Sequence, residues 1–283
     1  MKKVIDLSQH NGVVDFEKIK QSGISDVILR IGWIGNKNNH TKDTRFNEYY
    51  RLAKANGFNV GVYVYSYCKS IETLMQGALW VKEQLANKIL ELPVFLDLED
   101  EQIANISDDV LTSQAVHFCN YFKNNTNFES GVYASKYWFN SKIDVNQIIN
   151  YKIWVAEWNG KENHTCNFKV DLWQYTSEGK VNGINTNVDI SKCLCDCEKI
   201  DVGEITGETP QNGDDEEVRN YINGSTPEPI YADTNLSNKI GSLNPRETCE
   251  CLGIFQNRAM VRYKVDGKNN YKIGFAKWLG GVK

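Results

Sequence analysis

The first two hundred residues alternate between short apolar runs and amphipathic segments, and this order limits the folds that the chain can adopt. Runs rich in β-branched and aromatic residues predict eight strands. These are Val4–Leu7, Val27–Trp33, Val60–Tyr67, Val94–Leu98, Val132–Ala134, Ile153–Trp158, Leu172–Tyr175 and Val188–Ile190. Helical patterns predict helices at Phe16–Gln21, Arg45–Ala55, Thr73–Leu90 and Val110–Phe122, whereas turn-rich segments separate the later strands.

This alternation of strands and helices predicts a largely parallel sheet. Eight such strands within about 200 residues favour a small closed barrel of the β/α (TIM-like) kind, and the lack of late helices predicts an irregular one. We therefore expect an α/β fold in which residues 1–200 form an irregular eight-stranded barrel. An open, flavodoxin-like sheet is the alternative.

Charge divides the rest of the chain into two parts. Residues 201–218 carry seven acidic side chains and no Lys or Arg, which is typical of a linker. Residues 219–283 carry ten basic and five acidic side chains, a net charge of +5, and short alternating strands predict a small all-β barrel there. A cationic domain could attract an anionic polymer, but the basic residues are not interleaved with aromatic ones along one face, so nucleic-acid binding is not expected.

Several classes of protein are disfavoured. No apolar run approaches the roughly 18 residues of a membrane-spanning helix, so we expect no membrane insertion. Asp6 precedes any apolar segment of signal-peptide length, so we expect no signal peptide. The eight cysteines are spread along a long chain, which favours reduced thiols. Cys193, Cys195 and Cys197 are spaced too closely for the usual zinc site, so we expect no metal and no other cofactor.

Acidic residues stand where the predicted strands end, the position of catalytic groups in a β/α barrel. Asp97 and Glu99 follow an apolar strand and lie two residues apart, so their carboxyl groups can project from one face about 6 to 7 Å apart. Such proximity raises at least one pKa and can keep a carboxylic acid protonated near neutral pH. The alternative is that these acids only solvate a strand end.

Two further acids favour a chemical role. Asp6 ends the first predicted strand and Asp189 lies in the last, and these strands become neighbours when a barrel closes. Acids from three strands would then face one opening, as cleavage of a glycosidic bond requires. His10 follows the Asp6 strand but has no accompanying Ser or Cys nucleophile pattern, so it is a weak candidate base.

Aromatic residues on the strands supply a second requirement of a saccharide site, because flat rings stack on sugar faces. The candidates include Tyr63, Tyr65, Tyr133, Trp154, Trp158 and Trp173. About half of any alternating set points away from the cleft. We expect Tyr63 and Trp173 in particular to line it.

In this order, the motifs of residues 1–195 resemble those of family 25 of the glycoside hydrolases, the muramidases that include many phage endolysins and bacterial autolysins. The matching segments are Asp6-Leu7-Ser8, Asn11-Gly12, Gly61–Tyr65, Phe95–Glu99, Gly131–Tyr133, Trp154–Trp158, Trp173-Gln174-Tyr175 and Asn187–Asp189. The resemblance implies hydrolysis of the β-1,4 bond between N-acetylmuramic acid and N-acetylglucosamine in peptidoglycan, which causes bacterial lysis. It implies Glu99 as proton donor and Asp6, Asp97 and Asp189 as acids around the scissile sugar.

Substrate binding is assigned to six residues at the matching strand ends: Tyr63, Tyr65, Tyr133, Trp158, Trp173 and Gln174. The resemblance leaves two mechanisms open, because either the 2-acetamido group of the substrate or an Asp carboxylate can act as the nucleophile. A chitinase-like barrel is a competing interpretation, but Phe95 stands where an additional acid would be expected. A non-catalytic wall-binding protein is another.

Residues 219–283 resemble a bacterial Src homology 3-like wall-binding domain, on the basis of Tyr231-Ala232-Asp233, Gly241–Leu243 and Tyr271–Gly274. Such a domain would hold the enzyme on its polymer. Tyr231, Tyr263 and Trp278 are candidate contacts, and the alternative for each is a place in the core of so short a domain. Cys249 and Cys251 are expected to pack inside. With no signal peptide expected, the resemblance of residues 1–195 to phage endolysins and autolysins implies an enzyme made in the cytoplasm. Such an enzyme reaches the cell wall after release through a membrane lesion or host lysis.

Overall fold

A computed structural model describes residues 2–36, 39–194, 220–231, 236–237, 239–255, 258–265, 270–277 and 281–282. The chain divides into two compact units, Met1–Glu198 and Lys199–Lys283. The predicted linker at 201–218 lies outside the described residues, as do Cys195, Cys197 and Trp278.

Strands and helices alternate along the first unit. Its strands are β1 Lys3–Leu7, β2 Asp26–Ile34, β3 Thr41–Lys42, β4 Asn59–Ser66, β5 Val94–Asp97, β6 Ser130–Ser135, β7 Lys152–Ala156, β8 Leu172–Gly179 and β9 Val188–Cys193. Its helices are α1 Phe16–Gln21, α2 Phe46–Ala55, α3 Ile71–Gln84, α4 Asp108–Asn125, α5 Lys136–Ser141 and α6 Val145–Ile148. The eight strands expected from the sequence are all present, and the short β3 is an addition that pairs only with β2.

The sheet closes on itself. Its strands follow the order β1-β9-β8-β7-β6-β5-β4-β2, and β1 also pairs with β2, which completes an eight-stranded barrel. The barrel prediction is confirmed, and the alternative of an open flavodoxin-like sheet is wrong. Strand β9 runs antiparallel to both β1 and β8, so its first residues lie at the same end of the barrel as the carboxyl ends of the parallel strands.

Of the four expected helices, α1 has its expected bounds, α2 begins one residue later, and α4 extends two residues further at its start and three at its end. Helix α3 begins after a capping box at Ser70 and ends at Gln84 rather than at Leu90. Asn87 has a φ of 60°, a left-handed conformation that Asn tolerates and that a continuing helix cannot contain. The short helices α5 and α6 occur where turn-rich segments were expected, and serine and aspartate caps begin them at Ser135 and Asp144.

Apolar side chains fill the interior of the barrel. The cluster consists of Val4, Ile28, Leu92, Phe95, Tyr133, Trp154, Leu172 and Cys193, with Tyr63 and Ala156 packed against it. These residues come from nearly every strand of the ring, so the barrel is filled rather than hollow.

The second unit is an antiparallel sheet. Its strands are β10 Asn220–Ile222, β11 Glu228–Tyr231, β12 Lys239–Leu243, β13 Thr248–Phe255, β14 Arg258–Val265 and β15 Asn270–Ala276, in the order β10-β13-β14-β15-β11-β12. Cys249 and Cys251 are buried in its core, which confirms their expected packing role. Tyr263 shares a face with Ala259 and Val261 and is buried with them, so it takes the alternative position in the core and is not an exposed wall contact.

Among the helices that the structure describes, none is both long enough and apolar enough to cross a membrane.

Candidate active site

A cavity of about 200 Å³ opens at the end of the barrel where the parallel strands finish and β9 begins. Its lining consists of Asp6, Tyr63, Asp97, Glu99, Tyr133, Trp154, Trp158, Gln174 and Asp189. The four acids predicted from strand ends therefore meet in one place. Catalytic groups of β/α barrels occupy this end.

Asp6 and Asp189 meet because the barrel closes between β1 and β9. They are register partners in this antiparallel pair, and their carboxyl groups hydrogen-bond to each other. Opposed residues in such a pair have Cβ atoms about 4.5 to 5.5 Å apart. Two carboxylates at this separation repel each other, so the pair shares a proton.

The Asn11-Gly12 motif supports this junction. Asn11 accepts from the Ser8 amide at 2.9 Å and donates from Nδ2 to Thr186 Oγ1 and to the Asn187 carbonyl, both at 3.2 Å. Gly12 has a φ of 68°, which other residues rarely adopt. The turn after β1 thus holds the chain that leads into Asp189.

Asp97 and Glu99 come from one strand and its extension. Asp97 is the last residue of β5, and the Leu98 amide donates to the Tyr133 carbonyl at 3.0 Å, which continues the pairing with β6. The alternation of the strand is therefore maintained, and both carboxyl groups line the cavity. Asp97 is buried, whereas Glu99 retains solvent access through the cavity mouth.

Desolvation raises the pKa values of all four acids, and repulsion by neighbouring carboxyl groups adds to it for Asp6, Asp97 and Glu99. Burial raises the pKa of Asp6 well above its usual range, and the charges of Asp189 and Glu99 add to this effect. Burial, Glu99 and Asp6 likewise raise the pKa of Asp97. Burial also raises the pKa of Asp189. For Glu99, desolvation followed by the charges of Asp189 and Asp100 raises the pKa to about 7.

Glu99 is therefore half protonated near neutral pH, the state required of a group that gives a proton to a leaving oxygen. The raised pKa also distinguishes Glu99 from ordinary solvated glutamates, whose pKa lies near 4.3.

Buried acids elsewhere in the unit differ from those in the cavity. Asp171 accepts from the Ile153 amide at 3.0 Å and lies 3.3 Å from Lys169 Nζ, and Glu91 accepts from the Val60 amide and pairs with Lys54. Asp97, in contrast, has a buried Oδ1 without a hydrogen-bond partner. Unpaired carboxylates are costly to bury and are kept mainly where a site uses them.

Aromatic rings form one wall and the floor of the cavity. Trp154 contacts Tyr133 at a centroid separation of 4.6 Å and Tyr63 at 6.1 Å, and its Nε1 donates to Ser191 Oγ at 2.9 Å. Trp154 was a candidate aromatic but was not assigned to the site from sequence. Trp154 pairs with Tyr133 in the β6–β7 register, so a prediction of that register would have placed Trp154 in the site together with Tyr133.

Gln174 and Trp158 line the cavity beside these rings. Gln174 Oε1 accepts from the Tyr133 hydroxyl at 3.0 Å and from Trp158 Nε1 at 3.3 Å, and its Nε2 donates to Asp6 Oδ2 at 3.1 Å. Trp158 is 60% exposed although it lines the cavity. An exposed indole at the mouth of a polar cavity is suited to stacking on a flat ligand.

Glu157 fixes the chain beside Trp158. Its carboxylate accepts from Lys136 Nζ at 2.8 Å and from the Thr165 amide at 2.7 Å. Burial alone would raise the pKa of Glu157, but the hydrogen bonds from Lys136 and Thr165 lower it to about 2. The group is thus a permanent anion that ties β7 to α5 and to the loop around Thr165.

Two assigned residues do not line the cavity. Trp173 is 1% exposed and pairs in register with Val155, whereas its neighbour Gln174 pairs with Ala156, so Trp173 lies on the outer face of β8. There it donates to the Glu157 carbonyl at 3.0 Å and packs under Lys192, and its expected place in the cleft is wrong. Tyr65 is also absent from the cavity lining. Its hydroxyl donates to Asp100 Oδ2 at 3.0 Å, which holds the ring beside the cavity.

His10 is exposed and does not line the cavity. Across the described part of the chain, no group of three or more His, Cys, Asp or Glu side chains has the arrangement of a metal site.

Comparison with known proteins agrees with this geometry. The family model for glycosyl hydrolases family 25 matches residues 5–184. The autolytic lysozyme of Clostridium acetobutylicum is 24% identical over 219 residues, which cover 77% of this chain and 62% of that protein. The chain thus spans less than two thirds of this relative.

Two solved structures share the fold. The modular autolysin LytC from Streptococcus pneumoniae has a TM-score of 0.59 at 24% identity, and the match covers 67% of this chain and 46% of that chain. The spore cortex lytic enzyme SleM from Clostridium perfringens has a TM-score of 0.62 at 14% identity, and the match covers 97% of both chains.

Proposed function

The chain belongs to family 25 of the glycosyl hydrolases, and from this membership and the cavity we propose that it is an N-acetylmuramidase, a lysozyme that hydrolyses peptidoglycan. The observation that carries the proposal is the meeting of Asp6, Asp97, Glu99 and Asp189 in one cavity. The bond cleaved is the β-1,4 link between N-acetylmuramic acid and N-acetylglucosamine.

Glu99 acts as the general acid. Its pKa of about 7 keeps about half of the molecules in the protonated form that can start the reaction near neutral pH, and Glu99 lies on the solvent-accessible side of the cavity, where a polymer can enter. Proton transfer from Glu99 to the glycosidic oxygen accompanies cleavage of the bond between that oxygen and the anomeric carbon. Glu99 becomes a carboxylate and can then take a proton from the incoming water.

The remaining acids stabilise the positive charge that develops on the sugar. Asp6, Asp97 and Asp189 line the same cavity, where a carboxylate attracts a cationic sugar more strongly than it would in bulk water. Tyr63 and Tyr133 remain neutral because burial and the neighbouring carboxyl groups raise their pKa values. The Tyr63 hydroxyl is placed to bind a sugar hydroxyl, the Tyr133 hydroxyl donates to Gln174 but can still accept a hydrogen bond from a sugar, and Trp158 is available to stack on a ring.

The proposed substrate is the bacterial cell wall. LytC from Streptococcus pneumoniae has a solved structure in complex with a synthetic peptidoglycan ligand. A wall substrate also fits a cavity whose lining combines acids with Trp154 and Trp158. The enzyme would meet this substrate after leaving the cytoplasm, through a membrane lesion or on lysis of the host.

Digestion of purified peptidoglycan tests the proposal. Reduction of the new ends with borohydride, followed by hydrolysis and mass spectrometry, identifies the sugar at each end. We expect reduced muramic acid. Reduced glucosamine would indicate a glucosaminidase, and new amino groups without reducing ends would indicate an amidase; either result would contradict the proposed bond.

For the second unit we propose a Src homology 3-like wall-binding domain. Residues 219–283, which contain all its described strands, carry a net charge of +5, and these short antiparallel strands enclose a core that leaves the partly exposed Tyr231 available for contact. A cationic surface fits an anionic wall polymer.

Sedimentation with purified walls tests this assignment in the full chain. The Glu99→Gln background prevents digestion during the assay. We expect that Tyr231→Ala and raised salt both reduce the bound fraction, whereas Tyr50→Ala, a partly exposed tyrosine in the first unit, does not. Equal binding by both tyrosine variants at all salt concentrations would contradict the role of Tyr231.

A further inference from the structure

Gln174 is buried and touches three parts of the site at once. It is 3% exposed, and its amide contacts the Tyr133 hydroxyl, the Trp158 indole and the Asp6 carboxyl group. A side chain whose oxygen and nitrogen both have protein partners has little capacity left for a sugar. Its sequence-based assignment to substrate binding therefore does not describe its main contacts.

The indole of Trp158 fixes the orientation of this amide. An indole N–H can only donate a hydrogen bond, so the Gln174 atom 3.3 Å from Trp158 Nε1 must be the oxygen. The nitrogen of Gln174 then faces Asp6 Oδ2, and an N–H donates to that oxygen. Exchange of the two amide atoms would break both contacts.

This orientation has a consequence for the acid pair. Asp6 Oδ2 is engaged as an acceptor, which favours the other oxygen, Oδ1, as the position of a proton when Asp6 is protonated. The N–H of Gln174 also stabilises the ionised form of Asp6. The ionisable groups that interact with Asp6 in this cavity are Asp189, Glu99, Asp97, Tyr63 and Tyr133.

We propose that Gln174 is a positioning residue with two separate effects: it sets the protonation of Asp6, and it anchors the exposed indole of Trp158 on which a sugar stacks. The second effect rests on the proposed function, whereas the first can be measured without substrate. The amide thus links sugar binding at the rim to an acid at the closure of the barrel.

Carbon-13 NMR of aspartate carboxyl groups tests the first effect in the full chain. Asp6→Asn identifies the Asp6 signal by its loss. In Gln174→Leu, loss of a hydrogen bond to a charged group is expected to raise the pKa of Asp6 by about one to two units. Gln174→Glu, which retains oxygen acceptors for Trp158 and Tyr133 but places an oxygen against Asp6, is expected to raise it as well.

Gln114→Leu is the matched control. Gln114 is also a buried amide, but its Nε2 donates to the Cys68 carbonyl at 3.1 Å and not to a carboxyl group. We expect this variant to leave the Asp6 titration unchanged even if it lowers stability. An unchanged Asp6 pKa in a folded Gln174→Leu protein would overturn the first effect.

Kinetics on soluble wall fragments test the second effect. We expect Gln174→Leu to lower kcat through Asp6 and to raise KM through Trp158. In a Trp158→Ala background, the same change should still lower kcat but should no longer raise KM, because the anchored ring is gone. A rise in KM that persists without Trp158 would overturn the anchoring role.

The two proposals fail in different ways. If the wild-type chain does not cleave peptidoglycan, the proposed function fails while the NMR titration still decides whether Gln174 controls Asp6. If cleavage occurs and the titration does not move, the muramidase assignment stands and the role of Gln174 in Asp6 protonation is wrong.

Discussion

Asp6 and Asp189 face each other as register partners across the strand pair that closes the barrel. Like charges directly opposite in an antiparallel pair destabilise a sheet. The pair avoids this repulsion only while it holds a shared proton, and the Asn11 side chain holds the adjoining loop in place. Local arrangements that lower the stability of a fold are typical of functional sites.

Replacing Asp6 with Asn should stabilise the protein while abolishing wall hydrolysis. The pKa of Asp6 is raised on folding, so its contribution to stability is greatest below the unfolded pKa and decreases as pH rises toward the folded pKa. Asn does not titrate, so we expect a gain at neutral pH of roughly 1.4 kcal/mol per unit of raised pKa. Calorimetry at acidic and neutral pH measures the difference.

Asp15 provides a control, because its pKa is shifted in the opposite direction to that of Asp6. It caps α1, and hydrogen bonds from Lys18 lower its pKa. The Asp15 carboxylate therefore stabilises the folded protein above the unfolded pKa, and this stabilisation is lost as pH falls through the folded pKa. Asp15→Asn should cost stability at neutral pH. An Asp6→Asn protein that is destabilised equally at both pH values would contradict the repulsion at the closure.

The pH profile of kcat/KM should fall on its alkaline side near pH 7. Glu99 has a pKa of about 7 and must carry a proton to act as an acid, so activity decreases about tenfold for each pH unit well above that value. A short soluble substrate avoids changes in wall binding. A rate that stays constant through two units above pH 7 would show that Glu99 is not the acid.

Trp158 and Trp173 should respond differently to truncation. Trp158 is 60% exposed at the cavity, so Trp158→Ala is expected to raise KM roughly tenfold with little effect on stability. Trp173 is 1% exposed, so Trp173→Ala should lower the free energy of unfolding by about 3 to 5 kcal/mol. The reverse pattern would mean that Trp173 lines the cleft after all.

The buried ion pair of Arg30 and Asp43 should matter for folding. The Asp43 carboxylate is fully buried and accepts from Arg30 Nε at 2.8 Å and from the amides of Gln9 and Arg45, both at 2.9 Å. Asp43→Ala leaves a buried charge and two amides without partners, which should cost about 3 to 5 kcal/mol. Denaturant unfolding of Glu48→Ala, which breaks a more exposed pair with Arg45, should show less than about 1 kcal/mol. Equal losses would contradict this account.

The sequence was sufficient for the strands and for the convergence of the acids. Apolar runs that end in Asp97 or begin near Asp189 reveal both the strand and its functional end. The meeting of Asp6 with Asp189 followed from the rule that a closing barrel pairs its first and last strands, and the structure has that pairing.

The direction in which side chains point was harder to predict. Trp173 and Gln174 are adjacent, and a shift of one residue in phase exchanges the face that each occupies. Only the register with β7 places Gln174 inside and Trp173 outside. Contacts between distant residues, such as Arg30 with Asp43, likewise depend on how the loops fold over the barrel.

The most direct test of the central claim is the clearance of purified cell walls by Glu99→Gln, measured as the fall in turbidity. The variant keeps the shape of the side chain but cannot donate the catalytic proton. We predict a loss of activity of about 10² to 10⁴-fold, with an unchanged circular dichroism spectrum. Glu101→Gln, an exposed acid of the adjoining loop, should clear walls at the wild-type rate. Wild-type clearance by Glu99→Gln would contradict the assignment of Glu99 as the acid of this cavity.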